Sequence, residues 1–273
     1  MPLNVLLATG NNGQAFLSAS LTKIMEDKLK IIPVLDILDG VAVHAVRGRR
    51  KEYKPLRSAL VASADPLEVA VAFKNLGFNE LYVADLDAIL SKKPNITVVK
   101  RISDETGLKL MVDAGVADLP RVEELLKNHV SKVIIGTETL PTIKVVGEAI
   151  ESFGKGRVVV SLDLKDGKVL GTPELGKFKN PADILRELQE MGLEQVIILD
   201  LSRVGSDEGV NMPLLKEILS SFKLKMFVGG GVRDLKDLLE LEKKGIFGVL
   251  LATALHNGRI RAEDARSAGL DLS

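Results

Sequence analysis

Leu35-Asp36-Ile37-Leu38-Asp39-Gly40 recurs in the second half of the chain as Leu162-Asp163-Leu164-Lys165-Asp166-Gly167. Each copy closes a short apolar run, Ile31–Asp36 in the first case and Val158–Asp163 in the second. Working outward, the stretch from Asp65-Pro66 through Gly77 to Asp85-Leu86 returns as Asn180-Pro181 through Gly192 to Asp200-Leu201. Leu108-Lys109, Val112, Gly115-Val116 and Asp118-Leu119 return as Leu224-Lys225, Val228, Gly231-Val232 and Asp234-Leu235. Val133 and Thr137 then match Val249 and Thr253. Chance similarity does not keep order and spacing over so many elements, so the pattern is read as two homologous halves.

The apolar runs number eight: Ile31–Asp36, Leu81–Asp85, Leu108–Val112, Lys132–Gly136, Val158–Asp163, Gln195–Asp200, Leu224–Val228 and Gly248–Leu251. Their unbroken Val, Ile and Leu character is that of parallel strands covered on both faces. Between them apolar residues recur three and four apart, as in Val69, Phe73 and Leu76 after Asp65-Pro66, or Ile184, Leu188 and Met191 after Asn180-Pro181. Asp or Asn followed by Pro is a helix start signal. Eight strands with helical crossovers predict an α/β fold, a closed (β/α)₈ barrel of two half-barrels, over residues 25–273. Residues 1–24 fit that plan poorly and read as an N-terminal extension or an upstream start artefact. A docked helix from Phe16 to Met25 is the competing reading.

The 37 basic residues balance the 37 acidic ones, which gives no argument for a nucleic-acid partner or an anionic membrane surface. The absence of cysteine excludes thiolate catalysis and disulfides. Three scattered histidines, His44, His129 and His256, make no metal-ligand pattern, and no apolar stretch approaches the length of a membrane span. A cytoplasmic location is the expectation.

In a barrel of this kind the chemistry sits at the C-terminal ends of the strands. Asp36 and Asp163 are each placed to end a strand, the first and the fifth, and so to face each other across the mouth. One carboxylate kept ionised and another kept protonated form a general base and a general acid. The competing reading makes each a cap or salt-bridge partner. Asp39-Gly40 and Asp166-Gly167 read as turns with positive φ. Gly229-Gly230-Gly231, between the seventh strand and a helix, brings backbone N–H groups close to an anion without a Cβ in the way. Gly230 and Gly231, with Ala252 and Thr253 after the eighth strand, are therefore the predicted phosphate site. Symmetry predicts a second one at Gly136 and Thr137, but there Asp113 replaces the first glycine and opposes an anion. Asp85, Asp200 and Ser206 are candidates for binding sugar hydroxyls, with Asp87 and Ser202 weaker ones. The basic run Arg47, Arg49, Arg50 and Lys51 reads either as a lid over a phosphate or as a solvated surface. The partner implied is a phosphorylated sugar-type small molecule.

Taken together, Ile31-Ile32-Pro33-Val34-Leu35-Asp36, Ser161-Leu162-Asp163, Asp200-Leu201-Ser202-Arg203-Val204-Gly205-Ser206 and the triple glycine with Val232-Arg233 resemble a known family. It is that of phosphoribosylformimino-aminoimidazole carboxamide ribotide isomerase and the imidazole glycerol phosphate synthase cyclase subunit of histidine biosynthesis. The resemblance spans Ile31 to about Gly258. It implies that Asp36 removes a proton from the ribose carbon and that Asp163 is the acid opening the furanose ring. The outcome is an Amadori rearrangement of an aminoaldose into an aminoketose without metal or redox cofactor. It also implies that Ser206 replaces the family's threonine after strand six. Asp113-Ala114-Gly115, Ala252-Thr253, the lack of any Trp and the long basic first loop depart from the isomerase pattern, so the chain resembles a diverged, archaeal-type branch. Related isomerase, lyase or cyclase chemistry on a singly phosphorylated metabolite of another, coenzyme-type pathway, and a non-catalytic metabolite-binding barrel are the other readings.

Overall fold

Eight parallel strands close into a ring in the computed structural model, which describes residues 28–91, 93–178 and 180–272. The readings of residues 1–24 and of a Phe16–Met25 helix lie outside the described residues. In chain order the strands are β1 (Lys30–Leu38), β2 (Val41–His44), β3 (Lys54–Pro55), β4 (Glu80–Asp85), β5 (Lys109–Asp113), β6 (Lys132–Gly136), β7 (Val158–Lys165), β8 (Lys168–Val169), β9 (Gln195–Asp200), β10 (Lys225–Gly229) and β11 (Gly248–Leu251). The barrel runs β1-β4-β5-β6-β7-β9-β10-β11 and closes where Ile31 pairs with Val249 of β11. Each of the eight predicted runs is one of these barrel strands. The short strands β2, β3 and β8 are antiparallel additions at the mouth.

Successive strand residues point to opposite faces, so one sheet makes two cores. Ile32, Tyr82, Met111, Ile134, Val159, Ile197, Phe227 and Leu250 meet in the inner core. Their neighbours, among them Ile31, Leu81, Val83, Leu110, Val133 and Val196, join the larger core under the surrounding helices. Those helices begin where predicted. The Asp65 carboxylate accepts the N–H groups of Leu67 and Glu68 at 2.9 and 3.0 Å at the head of helix Pro66–Asn75. Asn180 takes the Asp183 N–H at 3.0 Å at the head of Pro181–Glu190. Such caps satisfy N–H groups that the first helical turn leaves orphaned. Among the described residues no helix is long and apolar enough to cross a membrane.

The floor of the barrel is cationic and aromatic. Lys30 and Lys132 reach Glu80 at 2.9 and 3.8 Å. Lys132 lies 5.7 Å from the centre of the Phe227 ring, and Lys30 and Lys225 lie 5.8 and 5.1 Å from that of Phe247. Phe227 and Phe247 meet edge to face, with centroids 5.2 Å apart.

The repeated Asp-Gly pairs turn the chain as predicted. Asp39 and Gly40 have φ of 52° and 74°, and Asp166 and Gly167 have 52° and 75°. Each pair closes a two-residue hairpin, Leu38 opposite Val41 and Lys165 opposite Lys168. Two consecutive residues with positive φ match the twist of a tight hairpin. This corrects one expectation: Asp36 and Asp163 do not end their strands, because each strand runs two residues further into its hairpin.

Candidate active site

Around the ring β1 stands opposite β7, β5 opposite β10, and β6 opposite β11. The same pleat that sends Ile32 and Val159 inward sends Asp36 and Asp163 inward near the mouth. Both line a cavity with about 1010 Å³ of empty space, open solvent included, shared with Arg50, Tyr53, Tyr82, Asp113, Glu138, Arg203 and the triple glycine. Burial is the main influence on its acids, since removing a carboxylate from water disfavours the charged form. Burial lifts Asp36 to about 7 against the pull of Arg50, and Asp36 accepts no hydrogen bond from a described residue. Asp163 is lifted to about 6, restrained by the Ser161 hydroxyl at 2.7 Å and the Glu138 N–H at 3.3 Å. Asp113 rises to about 8, through burial first and the nearby Asp163 charge second.

The two sides of the mouth treat backbone N–H groups differently. At β10 and β11 the N–H groups of Gly230, Gly231 and Ala252 donate to no other backbone group among the described residues. Gly230 and Gly231 have φ of 91° and 93°, and a Cβ on either would fall 2.5 Å from the Asp200 carbonyl oxygen or 2.3 Å from that of Gly209. Only glycine fits both the conformation and the space. Thr253 opens a short helix, Thr253–His256, and its hydroxyl lies 3.1 Å from His44 Nε2. At β5 and β6 the counterpart of the Gly231 N–H, that of Gly115, and two N–H groups after β6 are occupied. The Gly115 N–H binds the Asp113 carboxylate at 3.1 Å, the Thr137 N–H binds the Ser161 carbonyl at 2.9 Å, and the Glu138 N–H binds Asp163. A Cβ on Gly136 would lie 3.1 Å from a carboxylate oxygen of both Asp113 and Asp163.

The first loop is strapped across the mouth. Arg50 makes a paired contact with Glu138, one bond of 2.7 Å and a shorter one between Nη2 and Oε2. Arg47 bridges to Glu208 at 2.6 Å, and its N–H donates to the Val204 carbonyl at 2.9 Å. The Ala59 N–H reaches the His256 carbonyl at 2.7 Å. Gly205 is required under this strap, where a Cβ would fall 2.7 Å from the Ala45 carbonyl oxygen. Of the basic run, Arg50 alone lines the cavity, and its charge is engaged by Glu138 rather than left open.

The cavity lining therefore includes Asp36, Asp163, Gly230, Gly231, Ala252 and Thr253, but not Asp85, Asp200, Ser206, Gly136 or Thr137. For the two aspartates the reason is the pleat. Ala84 and Leu199 occupy the inward positions, so Asp85 and Asp200 fall on the opposite face. Asp85 binds the Ala88 N–H at 3.1 Å and the Asn95 amide at 2.8 Å. Asp200 binds the Ser202 N–H at 3.1 Å and Arg203 Nε at 3.3 Å. The Ser206 hydroxyl is used within its own loop, donating to the Arg203 carbonyl at 2.9 Å. Thr137 is fully buried, its hydroxyl donating to the Leu170 carbonyl at 2.8 Å and accepting the Asp163 N–H at 3.0 Å. Of the weaker candidates, Asp87 holds the N–H groups of Asp39 and Gly40, and Ser202 binds Asp166 at 3.0 Å. Tyr82, Tyr53 and Glu138 are cavity residues that the sequence reading missed. Tyr82 is only 3% exposed, and its hydroxyl has no hydrogen-bond partner among the described residues. Burial, and then the charges of Asp113, Asp163 and Asp36, hold its pKa well above the usual value. The signal available for it was the two-residue spacing from Ala84 along the strand.

Comparison with known proteins places this geometry. An uncharacterized protein of Methanocaldococcus jannaschii is 36% identical over 239 residues, covering 86% of this chain and 97% of the relative. Proteins named 1-(5-phosphoribosyl)-5-((5-phosphoribosylamino)methylideneamino)imidazole-4-carboxamide isomerase match similarly. That of Lactococcus lactis is 32% identical over 238 residues, covering 86% of this chain and 97% of the relative. That of Ruminiclostridium cellulolyticum is 29% identical over 238 residues, covering 86% and 98%. The model of the histidine biosynthesis protein family matches residues 30–261, the whole ring of strands from β1 to β11, and the chain belongs to that family.

Proposed function

We propose that this chain is an intramolecular aldose–ketose isomerase that carries out an Amadori rearrangement on a phosphoribosyl-amine, as the named isomerase relatives suggest. The carrying observation is the pair of carboxyl groups on diametrically opposed strands, half-buried Asp36 and buried Asp163, in one cavity with a row of N–H groups that donate to no backbone acceptor beside it. The sugar phosphate rests against Gly230, Gly231, Ala252 and Thr253, which sets the ribose between the two aspartates. Asp163 delivers a proton to the ring oxygen as the C1–O bond breaks, leaving a protonated imine at C1. Asp36 takes the proton from C2, and the released electron pair forms the C1–C2 double bond of an enolamine. Loss of the C2 hydroxyl proton and return of a proton to C1 give the aminoketose. No electrons are gained or lost, so proton carriers suffice. Neither aspartate is held in an ion pair, which favours this reading over a non-catalytic barrel.

With Asp36 near 7 and Asp163 near 6, a single proton is held by the pair around neutral pH. Burial raises both acids, so the proton that the first step needs on Asp163 is shared between two groups of similar strength. Activity is expected to rise and fall with pH around that range. The test is turnover of phosphoribosyl-amines by the protein and by its Asp36→Asn and Asp163→Asn variants. Each substitution is expected to lower kcat by about 10²–10⁴-fold with folding intact. Retained turnover in either variant would overturn the assignment of the pair.

A further inference from the structure

The phosphate row at β10 and β11 faces, across the mouth, a side already furnished with carboxyl groups of the chain. Asp113 stands on β5 where Gly229 stands on β10, and its carboxylate occupies the Gly115 N–H at 3.1 Å. Asp163 occupies the Glu138 N–H, and Thr137 is consumed by its two neighbours in the chain fold. An anion arriving there finds no free donor among these groups and meets Asp113, Glu138 and Asp163 instead. The one cation of that side, Arg50, is held by Glu138 through two bonds. The carboxyl groups of Asp36, Asp113, Glu138 and Asp163 thus line the cavity with Arg50, while its other guanidinium, Arg203, is paired with Asp200. The Tyr82 hydroxyl supplies a separate indication that something binds here: its side chain is almost wholly buried, and its hydroxyl has no partner among the described residues and opens onto the cavity beside these acids. A cation arriving among these acids finds acceptors in place and stabilises their charged forms, whereas a second anion is disfavoured by them.

We propose that the cavity accepts a substrate with a single phosphate, whose opposite end carries a cationic amine received by Asp113, Glu138 and the Tyr82 hydroxyl. This rests on the isomerase reading for the placement of the phosphate at the glycine row, and goes beyond it in naming what lies at the other end. It also separates this chain from the relatives whose name contains two phosphoribosyl groups. Asp113 is on this view a specificity-determining residue: an arriving amine stabilises its charged form, and a second phosphate finds the Gly115 N–H already taken by it.

A matched series on one five-carbon skeleton tests the proposal by isothermal titration at pH 7.5: ribulose 5-phosphate, 1-amino-1-deoxyribulose 5-phosphate and ribulose 1,5-bisphosphate. The amine is expected to bind at least about tenfold more tightly than ribulose 5-phosphate, and the bisphosphate at least about tenfold more weakly, since like charges placed together cost several kcal/mol. In Asp113→Asn both differences shrink. A bisphosphate that binds the unaltered protein as tightly as ribulose 5-phosphate, or an amine that gains nothing, would overturn the proposal without any variant having to fold. The readout involves no turnover, so loss of the single-phosphate preference is distinguishable from failure of the Asp36 and Asp163 assignment. If none of the three sugars binds, the phosphate placement falls and this proposal falls with it.

Discussion

The two sides of the barrel mouth use their backbone differently: one leaves N–H groups open, and the other turns the carboxyl groups of Asp113 and Asp163 onto two of its own. Gly230 and Gly231 crowd against the backbone of the β9 loop and leave their N–H groups without backbone acceptors. Asp113, two residues before Gly115, folds its carboxylate onto the Gly115 N–H. A side chain that occupies a would-be anion cradle does two things at once. It satisfies the backbone, which stabilises the loop, and it reverses the charge that the cavity presents. One substitution in a turn is therefore enough to change which ligands the same fold accepts.

The sharpest way to break this comparison is to place a methyl group on each side. Gly231→Ala puts a Cβ 2.3 Å from the Gly209 carbonyl oxygen at a positive φ, whereas Gly136→Ala meets only two carboxylate oxygens at 3.1 Å. The first should destabilise by about 3 kcal/mol or more and abolish detectable phosphate binding, the second by about 1–2 kcal/mol. Thermal unfolding with and without ribulose 5-phosphate checks both, and equal losses at the two positions would remove the asymmetry.

Next in size is the response to pH. Burial raises Asp36, Asp113 and Asp163 above the ordinary carboxylate value, so the folded chain holds protons that the unfolded chain has released. Stability from these groups is full below about pH 4 and is lost as pH rises through about 6 to 8. Asp113→Asn removes the most strongly raised of the three. It should gain at least about 1 kcal/mol at pH 9 and little at pH 5, read from denaturant midpoints. A gain that is larger at pH 5 would contradict the burial of an unneeded charge on this side.

The smallest effect belongs to the strap. Arg47 and Glu208 are both well exposed, so a double-mutant cycle between them should give under about 1 kcal/mol and vanish in high salt. The partly buried pair of Arg50 with Glu138 should give more and resist salt better. If the two cycles agree, the strap rests on its backbone contacts, the Arg47 N–H and Ala59 N–H, rather than on its charges.

The fold was legible because parallel strands buried on both faces write themselves as unbroken Val, Ile and Leu runs. The hairpin turns were legible because Asp-Gly accepts positive φ at both positions. That same two-sided burial hid the rest. With no polar alternation along β4 or β9, nothing in Leu81–Asp85 or Gln195–Asp200 distinguishes the axis-facing residues from the helix-facing ones. Asp85 and Asp200 were therefore expected in the site, although Ala84 and Leu199 hold the inward positions. Tyr82 carries no signal of its own in that run for the same reason. The damaged symmetry at Asp113 was visible in the repeat, but its capture of the Gly115 N–H depends on a turn conformation that the sequence does not print. Glu138 was silent because its importance comes from Arg50, which reaches it from a loop 88 residues away.

The lysine and phenylalanine floor has a consequence for traffic. Phe227 and Phe247 meet edge to face at the base of the inner core, with Lys30, Lys132 and Lys225 near their rings. A barrel stoppered at one end is a blind well, with a single door for arrivals and departures. Product must leave past the groups that admitted the substrate, so the next molecule cannot push from behind. Turnover in such a vessel is strictly one at a time, and its pace is open to control wherever the door is hinged.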